Sequence, residues 1–305
     1  MKTKAPTVDK TGVLSKLRIF SQALLVLLAV TVFASAANAA PPLNPLTTVY
    51  VVGLDPNDIP VFGYINLVDG VLHQIADTVP LSNLVWWKGE LLSLSSLDGN
   101  IVQVDPKTGS TMVLGSTGLG ANAFSLAEVN GKLFVTDFGG DVYSVNPQNN
   151  FLATLMPAKK MLPPDPNIPF TFNADGTFNL CDESFYGIGG FLYATFDSFN
   201  VDTTTAAINE FGNADATQSP DLYRINPKTG EATLIGPTDL GIGATFVLDG
   251  IVLGFESQVT GFSENGPMGA TELIALDLNS GKTKVLRNIP NVTAIFGASP
   301  VLPLN

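Results

Sequence analysis

The sequence predicts an all-β fold built from repeats of one four-stranded unit. The first observation is that Gly, Pro, Asn, Asp, Ser and Thr interrupt short apolar runs after residue 40, with no sustained helical periodicity. The second is a turn phrase, Asp105-Pro106-Lys107-Thr108-Gly109, that returns as Asn226-Pro227-Lys228-Thr229-Gly230 between strand-like runs. Asp or Asn opens such a turn by bonding its own backbone, and Gly ends it with a positive φ. Looser copies are Asn66–Gly70, Asn146–Asn150 and Asp277–Gly281.

The third observation is the spacing of these turns. They begin at positions 66, 105, 146, 226 and 277, so the intervals are 39, 41, 80 and 51 residues. A four-stranded β-propeller blade takes about 40–45 residues. The long interval leaves room for a sixth blade, but residues 156–181 offer only one hairpin, Phe170–Phe172 with Thr177–Leu180. The prediction is therefore a propeller of five four-stranded blades, with six as the alternative.

Each unit reads as four strands, A to D, with a two-residue A–B turn and the turn phrase between C and D. The A–B turns are Lys88-Gly89, Asn130-Gly131, Gly189-Gly190 and Asp249-Gly250. The second unit is predicted at Leu84–Trp87, Leu91–Ser95, Ile101–Val104 and Thr111–Leu114, and the third at Ser125–Val129, Leu133–Thr136, Val142–Val145 and Phe151–Leu155. The fourth is predicted at Phe185–Ile188, Phe191–Phe196, Leu222–Ile225 and Ala232–Ile235, and the fifth at Thr245–Leu248, Ile251–Phe255, Leu273–Leu276 and Thr283–Leu286.

The two ends of the repeat region fit the closure of a ring. The first unit begins at Thr48–Val52, which aligns with strand B of the other units, so its strand A is missing. The run Thr293–Val301 resembles a strand A, as in Gly243–Val247, but no unit follows it. We predict that this last strand joins the first sheet, which removes two free strand edges. The alternative is a C-terminal strand that packs elsewhere.

The first 39 residues have the features of a secretory signal peptide. Basic residues precede the apolar stretch Ala23–Ala34, and Ala37-Asn38-Ala39 supplies a small-x-small cleavage pattern. The alternative is an uncleaved membrane anchor. After cleavage, residues 40–47 are predicted to form a linker and residues 48–305 to form one β-propeller domain. The mature protein is then expected to be a secreted, extracellular or periplasmic bacterial protein that is not inserted in a membrane.

Charge and rare residues exclude several classes of function. The chain has 15 Lys+Arg and 27 Asp+Glu, a net charge of −12. Loss of residues 1–39 removes five basic residues and one acidic residue, so the mature charge is near −16. So strong a negative charge repels nucleic acid and anionic membrane surfaces, and it favours the binding of cations. Cys181 and His73 are the single cysteine and histidine, so an intramolecular disulfide and a zinc site with several His or Cys ligands are excluded.

The repeat from Leu222 to Gly236 (LYRINPKTGEATLIG) resembles that of secreted bacterial β-propeller proteins, which include NHL, lactonase-like and quinoprotein-type propellers. The resemblance covers roughly residues 48–301 and implies the fold. It implies no catalytic residues, because the motif is structural and occurs across many functions.

The turns and loops divide the predicted disc into two faces. The A–B and C–D turns are minimal and share one face, here called the turn face. The long segments 156–181, 197–219, 256–270 and, more modestly, 54–60 fall on the opposite face, here called the loop face. Acidic residues collect there. Candidate ligand-binding residues are Asp55, Asp137, Asp197 and Glu256, at or past the end of a strand B, and Asp182 and Glu183, which open a strand A.

Converging carboxylates are the ligands that Ca²⁺ requires. Asp137, Asp197, Asp202 and Glu256 are therefore candidate calcium ligands, and the rival interpretations are solvated loop residues that cap turns or catalytic carboxylates. The functional prediction is a module that binds a protein, carbohydrate or small-molecule ligand through the loop face. The alternative is a lactonase-like or glycosidase-like hydrolase with axial carboxylates, with or without calcium. Carboxylates that converge on the axis would favour the enzyme. A plugged axis, or an exposed aromatic or apolar patch on the loops, would favour the binding module.

Overall fold

The computed structural model describes residues 43–57, 59–137, 141–157, 177–202, 221–238, 240–263 and 266–302. Within its strands, the side chains of residues 177–183, 196–202, 257–263 and 266–270 lie outside the description. Residues 1–42, which hold the predicted signal peptide and most of the linker, also lie outside it, so both remain predictions.

The chain forms a five-bladed β-propeller, as predicted. Blade 1 contains β20 (Ala294–Pro300), β1 (Thr48–Leu54), β2 (Pro60–Asn66) and β3 (Val71–Asp77), in that order from the axis outward. Blade 2 contains β4 (Leu81–Trp87), β5 (Glu90–Ser95), β6 (Asn100–Val104) and β7 (Thr111–Ser116), and blade 3 contains β8 (Ala123–Val129), β9 (Lys132–Asp137), β10 (Val142–Asn146) and β11 (Leu152–Leu155). Blade 4 contains β12 (Thr177–Ile188), β13 (Phe191–Asp202), β14 (Asp221–Ile225) and β15 (Ala232–Pro237), and blade 5 contains β16 (Ala244–Leu248), β17 (Ile251–Ser263), β18 (Gly266–Leu276) and β19 (Thr283–Ile289).

The turn phrase forms the C–D connection of every blade with one hydrogen-bond pattern. In blade 2 the Asp105 carboxylate accepts from the Lys107 N–H at 2.9 Å, and the Asp105 carbonyl accepts from the Gly109 N–H at 2.8 Å. Asn226 and Asp277 repeat the first of these contacts at 2.9 Å in blades 4 and 5. Asn66 and Asn146 repeat it at 3.0 Å in blades 1 and 3. The local chemistry that opens the turn is therefore the same around the ring.

The C-terminal strand closes the ring as predicted. Strand β20 pairs antiparallel with β1, with Pro300 opposite Val49 and Gly297 opposite Val52. The Trp86 indole N–H of blade 2 donates to the Pro300 carbonyl at 2.7 Å, which fastens the closing strand to the next blade. The strands nearest the axis, β4, β8, β12, β16 and β20, contact each other in sequence around the ring.

Each contact between neighbouring blades, here called a seam, holds its own apolar cluster. Tyr50 and Val52 of β1 pack against blade 2, whereas Val49 and Val51 of the same strand pack against blade 5. A middle strand therefore buries both faces and is apolar at successive positions. Phe62, Phe134, Phe185 and Phe255 are fully buried in four different blades, and each such side chain contributes about 1.5–3 kcal/mol relative to exposure.

Two segments predicted as loops are strands instead. Residues 197–202 extend β13, and residues 256–263 and 266–270 extend β17 and β18 as a long hairpin on the loop face. Thr177–Leu180, the second strand of the hairpin predicted with Phe170–Phe172, belongs to β12 and pairs with β13: Thr177 lies opposite Asp202 and Leu180 opposite Phe199. This register continues without a shift from the pairing of Tyr186 with Tyr193. Residues 170–172 lie outside the described residues.

Candidate functional site

The axis of the propeller is occupied by one amide side chain. Asn83, on the inner strand of blade 2, is 5% exposed. Its Nδ2 donates to the Leu126 carbonyl of blade 3 at 2.5 Å and to the Phe185 carbonyl of blade 4 at 2.6 Å. Its Oδ1 accepts from the Leu84 N–H at 2.8 Å. A single nitrogen that reaches the inner strands of two other blades lies at the centre of the ring.

Small hydroxyl side chains fill the space around Asn83, and here they are called the hub. Ser125 Oγ lies 3.3 Å from the Asn83 amide, and Ser184 Oγ lies 2.5 Å from Thr245 Oγ1 across the seam between blades 4 and 5. Ser93 Oγ donates to the Asn83 carbonyl at 2.7 Å. All of these groups are at least nine-tenths buried. Asn83 and the hub thus form a buried polar cluster at the axis, and a filled axis is the arrangement that the sequence analysis associated with a binding module.

Two of the predicted site residues, Asp55 and Asp137, close the B–C loops. Asp55 Oδ1 accepts from the N–H groups of Asn57 and Ile59 at 2.8 and 2.9 Å. Asp137 Oδ1 accepts from the Asp141 N–H at 2.9 Å, and its Oδ2 accepts from the Tyr143 hydroxyl at 2.9 Å. Both residues directly follow or end the second strand of their blade. These contacts match the turn-capping interpretation of the two carboxylates.

Glu256 differs from these two, because it is 5% exposed and lies in the interior of blade 5. Its backbone is opposite Glu272 in the β17–β18 pair. The backbone of Asp182 is opposite Asp197, and that of Glu183 is opposite Phe196, within β12 and β13. Asp182 and Glu183 therefore lie inside a strand and do not open it. The side chains of Asp182, Glu183, Asp197 and Asp202 lie outside the described residues.

Among the described side chains, no group of three or more His, Cys, Asp or Glu residues converges as a metal site. The calcium interpretation names two residues, Asp197 and Asp202, whose side chains are not described, so it stays a prediction. His73 lies on β3, the outermost strand of blade 1, where its ring stacks on Tyr64 at a centroid distance of 4.8 Å. This position is remote from the axis.

Sequence reasoning missed a pair of tyrosines that contact loop-face carboxylates. The Tyr143 hydroxyl donates to Asp137, and burial together with this carboxylate raises the pKa of the phenol well above its usual value. Tyr223, at the equivalent position of blade 4, has its pKa raised to about 12 by burial and by Asp221. Burial also raises the pKa of Asp221, against the opposite effect of the Tyr223 hydroxyl. The shared Asp-x-Tyr pattern, Asp141-Val142-Tyr143 and Asp221-Leu222-Tyr223, was the available signal.

The aromatic residues of the inner strands β4 and β12 differ in how far they are enclosed. Phe185 and Tyr186 are 1% and 5% exposed and belong to seams between blades. Trp86 is half-buried and bonded to Pro300, and Trp87 remains accessible at the turn face.

Within the described part of the chain, no helix is long and apolar enough to span a membrane. Comparison with models of protein families gave no match to this chain, and a search of curated proteins gave none either.

Proposed function

We propose that this protein is a secreted or periplasmic β-propeller that serves as a binding module through its loop face. The observation that carries the proposal is the buried, uncharged hub around Asn83 at the axis. Asn83 and the surrounding hydroxyls fill the axial position where a propeller hydrolase would gather its carboxylates, and every one of those groups is small, buried and uncharged. A rigid disc with a filled centre supports recognition by its surface.

The charge of the loop face supports a cationic ligand. The exposed or half-buried acidic side chains that the structure describes at this end of the strands are Asp55, Asp77, Asp98, Asp137, Asp141, Asp221 and Glu272. Lysines 88, 107, 132, 228, 282 and 284 belong instead to the turn face. A surface with one dominant sign of charge attracts ligands of the other sign and accelerates their encounter. Calcium and the basic surface of a partner protein both fit this description.

The test is a titration of the mature protein with Ca²⁺ and with a hexalysine peptide, followed by calorimetry. We expect saturable binding of at least one probe, weaker at higher salt because exposed charges are screened. Asp77→Asn with Asp98→Asn should weaken that binding, and the matched pair Asp105→Asn with Asp277→Asn on the turn face should not.

Two results would overturn the proposal. Equal weakening by both pairs of substitutions would remove the loop face as the binding surface. Turnover of a lactone or an aryl glycoside by the purified protein would favour the hydrolase alternative instead. Thermal melting with Ca²⁺ and with EDTA tests calcium binding separately, because a ligand that binds only the native state raises the melting temperature.

A further inference from the structure

A groove of ≈390 Å³ opens on the turn face, at the seam between blades 2 and 3. Its walls are the A–B turns of both blades and the C–D turn of blade 3, including Trp87, Lys88, Lys132, Pro147 and Gln148. This volume falls within the range of small-molecule sites in proteins, about 300–1,000 Å³. The groove is on the face opposite to the one that the sequence favoured, because short turns gave no signal for it.

The groove holds two cations in a strongly acidic protein. Lys88 Nζ lies 4.3 Å from the centroid of the Trp87 ring, so the ring helps to hold the ammonium in place. Lys132 is exposed at the start of β9. Within the part of the chain that the structure describes, neither lysine has an ion-pair partner. Both charges are therefore available to an anionic ligand.

Trp87 provides a fixed aromatic wall beside these charges. Its indole N–H donates to the Gly131 carbonyl at 2.9 Å, and its ring meets Phe151 edge to face at a centroid distance of 6.1 Å. Phe151 is 8% exposed, so the tryptophan rests on the core of the seam. An aromatic ring held from two sides loses little conformational entropy when a ligand stacks against it.

The other groups in the groove favour an anion of low charge density over a phosphate. Phosphate sites usually combine a lysine or an arginine with free backbone N–H groups, often at a helix N-terminus. Here the two cations are lysines, but the Gly131 N–H already donates to the Glu128 carboxylate at 2.5 Å. The remaining polar side chains are those of Ser144, Asn146 and Gln148. Asn146 Oδ1 accepts from the Gln148 N–H, and Ser144 Oγ donates to the Thr154 carbonyl at 3.4 Å, so the Ser144 oxygen can still accept and the Gln148 amide can both donate and accept with ligand hydroxyl groups.

We propose that this groove binds an acidic saccharide that carries one carboxylate per sugar ring. The carboxylate lies between Lys88 and Lys132, the apolar face of the ring lies along Trp87 and Pro147, and ring hydroxyls contact Ser144 and Gln148. Each kind of ligand group then meets the matching chemistry in the groove: charge with charge, C–H surface with aromatic surface, and hydroxyl with amide or hydroxyl. This site is separate from the proposed cation-binding loop face.

The experiment uses the fluorescence of Trp87. The chain has two tryptophans, so Trp86→Phe leaves Trp87 as the single reporter, after a melting curve has verified the fold of the variant. The protein is titrated with trigalacturonic acid, and the methyl ester of the same saccharide serves as the uncharged control. We expect a saturable change in emission with the acid, at least tenfold weaker binding of the ester, and loss of affinity at high salt. In the native background, calorimetry repeats the comparison without relying on Trp86→Phe.

A pair of matched variants locates the site. Lys88→Met with Lys132→Met should weaken binding at least tenfold, and Lys107→Met with Lys228→Met, which changes the same charge on neighbouring turns, should leave it within twofold. The proposal fails if the ester binds as well as the acid, if both double variants lose affinity equally, or if the acid does not bind at millimolar concentration. If inorganic phosphate displaced a bound saccharide as effectively as free trigalacturonic acid does, the assignment of the ligand as an acidic saccharide would be wrong. Asp77→Asn with Asp98→Asn should not affect this titration, so the two proposals fail independently.

Discussion

Asn83 performs two tasks that few other residues combine. Its φ of +56° places it in the left-handed region, which Asn tolerates better than most L-residues. The pairing of β4 with β5 shifts between Ser82 and Val85, so Asn83 lies in a bulge that turns its side chain towards the axis. Gly297 of the closing strand packs directly on the Asn83 backbone, and a Cβ at position 297 would overlap it. The centre of the ring thus depends on one asparagine and one glycine.

We predict that Asn83→Asp destabilises the protein by about 3 kcal/mol, because it turns a donor into a carboxylate that faces two buried carbonyl oxygens. Asn83→Gly keeps the left-handed backbone accessible and should cost about 2 kcal/mol, from the loss of the two buried hydrogen bonds. Urea unfolding of the mature chain measures both.

The control is Asn130→Asp, at an exposed A–B turn with a φ of +53°. It should change the free energy of unfolding by less than about 0.5 kcal/mol. An equal effect at positions 83 and 130 would show that backbone conformation, and not the axial contacts, determines the cost.

At the scale of the element, the turn phrase also forms the seams between outer strands. In blades 1, 2 and 5 the glycine that ends the turn faces the last strand of the preceding blade, and in blade 3 Asn150 has this position. A Cβ on Gly109 would lie 2.7 Å from the Ala76 Cβ of blade 1, and one on Gly281 would lie 2.8 Å from the Pro237 carbonyl of blade 4. Glycine is thus required twice at these positions, for its positive φ and for the close approach of the neighbouring blade.

These two requirements can be separated by a pair of substitutions. Gly89→Ala changes a turn with a φ of +84° and with nothing within 4 Å of the new Cβ, so it should cost about 1 kcal/mol from conformation alone. Gly109→Ala, at a φ of +70°, adds the contact with Ala76 and should cost about 1–3 kcal/mol more.

Ala76→Gly in the Gly109→Ala background should recover part of the second cost, because it removes the opposing Cβ. The measurement is again the midpoint and slope of urea unfolding. Equal costs for Gly89→Ala and Gly109→Ala would contradict the role of the turn glycine in the seam.

The sequence predicted the blades because their determinants are local. A turn such as Asp105–Gly109 is encoded by five consecutive residues, and the alternation of its flanking strands is visible without the rest of the fold. The extension of β13 to Asp202 was not predictable in this way, since it depends on a partner strand in Thr177–Leu180 and not on a local pattern. Asn83 was also missed. In Ser82-Asn83-Leu84 nothing distinguishes a residue at the axis from one at an exposed bulge.

The candidate site, like the fold, was predictable from the sequence only where its determinants are local. The acidic character of the loop face was predictable from the positions of Asp55, Asp137 and Glu256 after their strands. The roles of these residues were not, because capping by Asp55 and burial of Glu256 are set by the tertiary structure. The groove at Trp87 escaped prediction for another reason: its walls come from two blades, and each wall alone reads as an ordinary turn.

At the scale of the whole molecule, the ring depends on one strand that is distant in sequence from the sheet it completes. Strand β20 supplies Ile295 and Ala298 to the seam with blade 5 and contacts β4 of blade 2. Its loss would open two of the five seams and expose their apolar surface to water. Since a domain is stable by only about 5–15 kcal/mol, two open seams are more than the remaining three can offset.

We therefore predict opposite outcomes for two rearrangements of the closing strand. Deletion of residues 294–302 should abolish the cooperative unfolding transition and leave a protein that binds hydrophobic dyes. A circular permutant that starts at residue 291, continues to 301, joins residue 46 through a short Gly/Ser turn and ends at residue 290 should fold. In that permutant β20 and β1 become a hairpin, which their antiparallel pairing of Pro300 with Val49 permits.

Circular dichroism and thermal melting distinguish the two variants. The permutant should keep the native spectrum and a single transition, because every strand has the same neighbours as before. A cooperative transition in the deletion variant would show that four blades and an incomplete fifth are sufficient, and that closure by β20 does not hold the ring together.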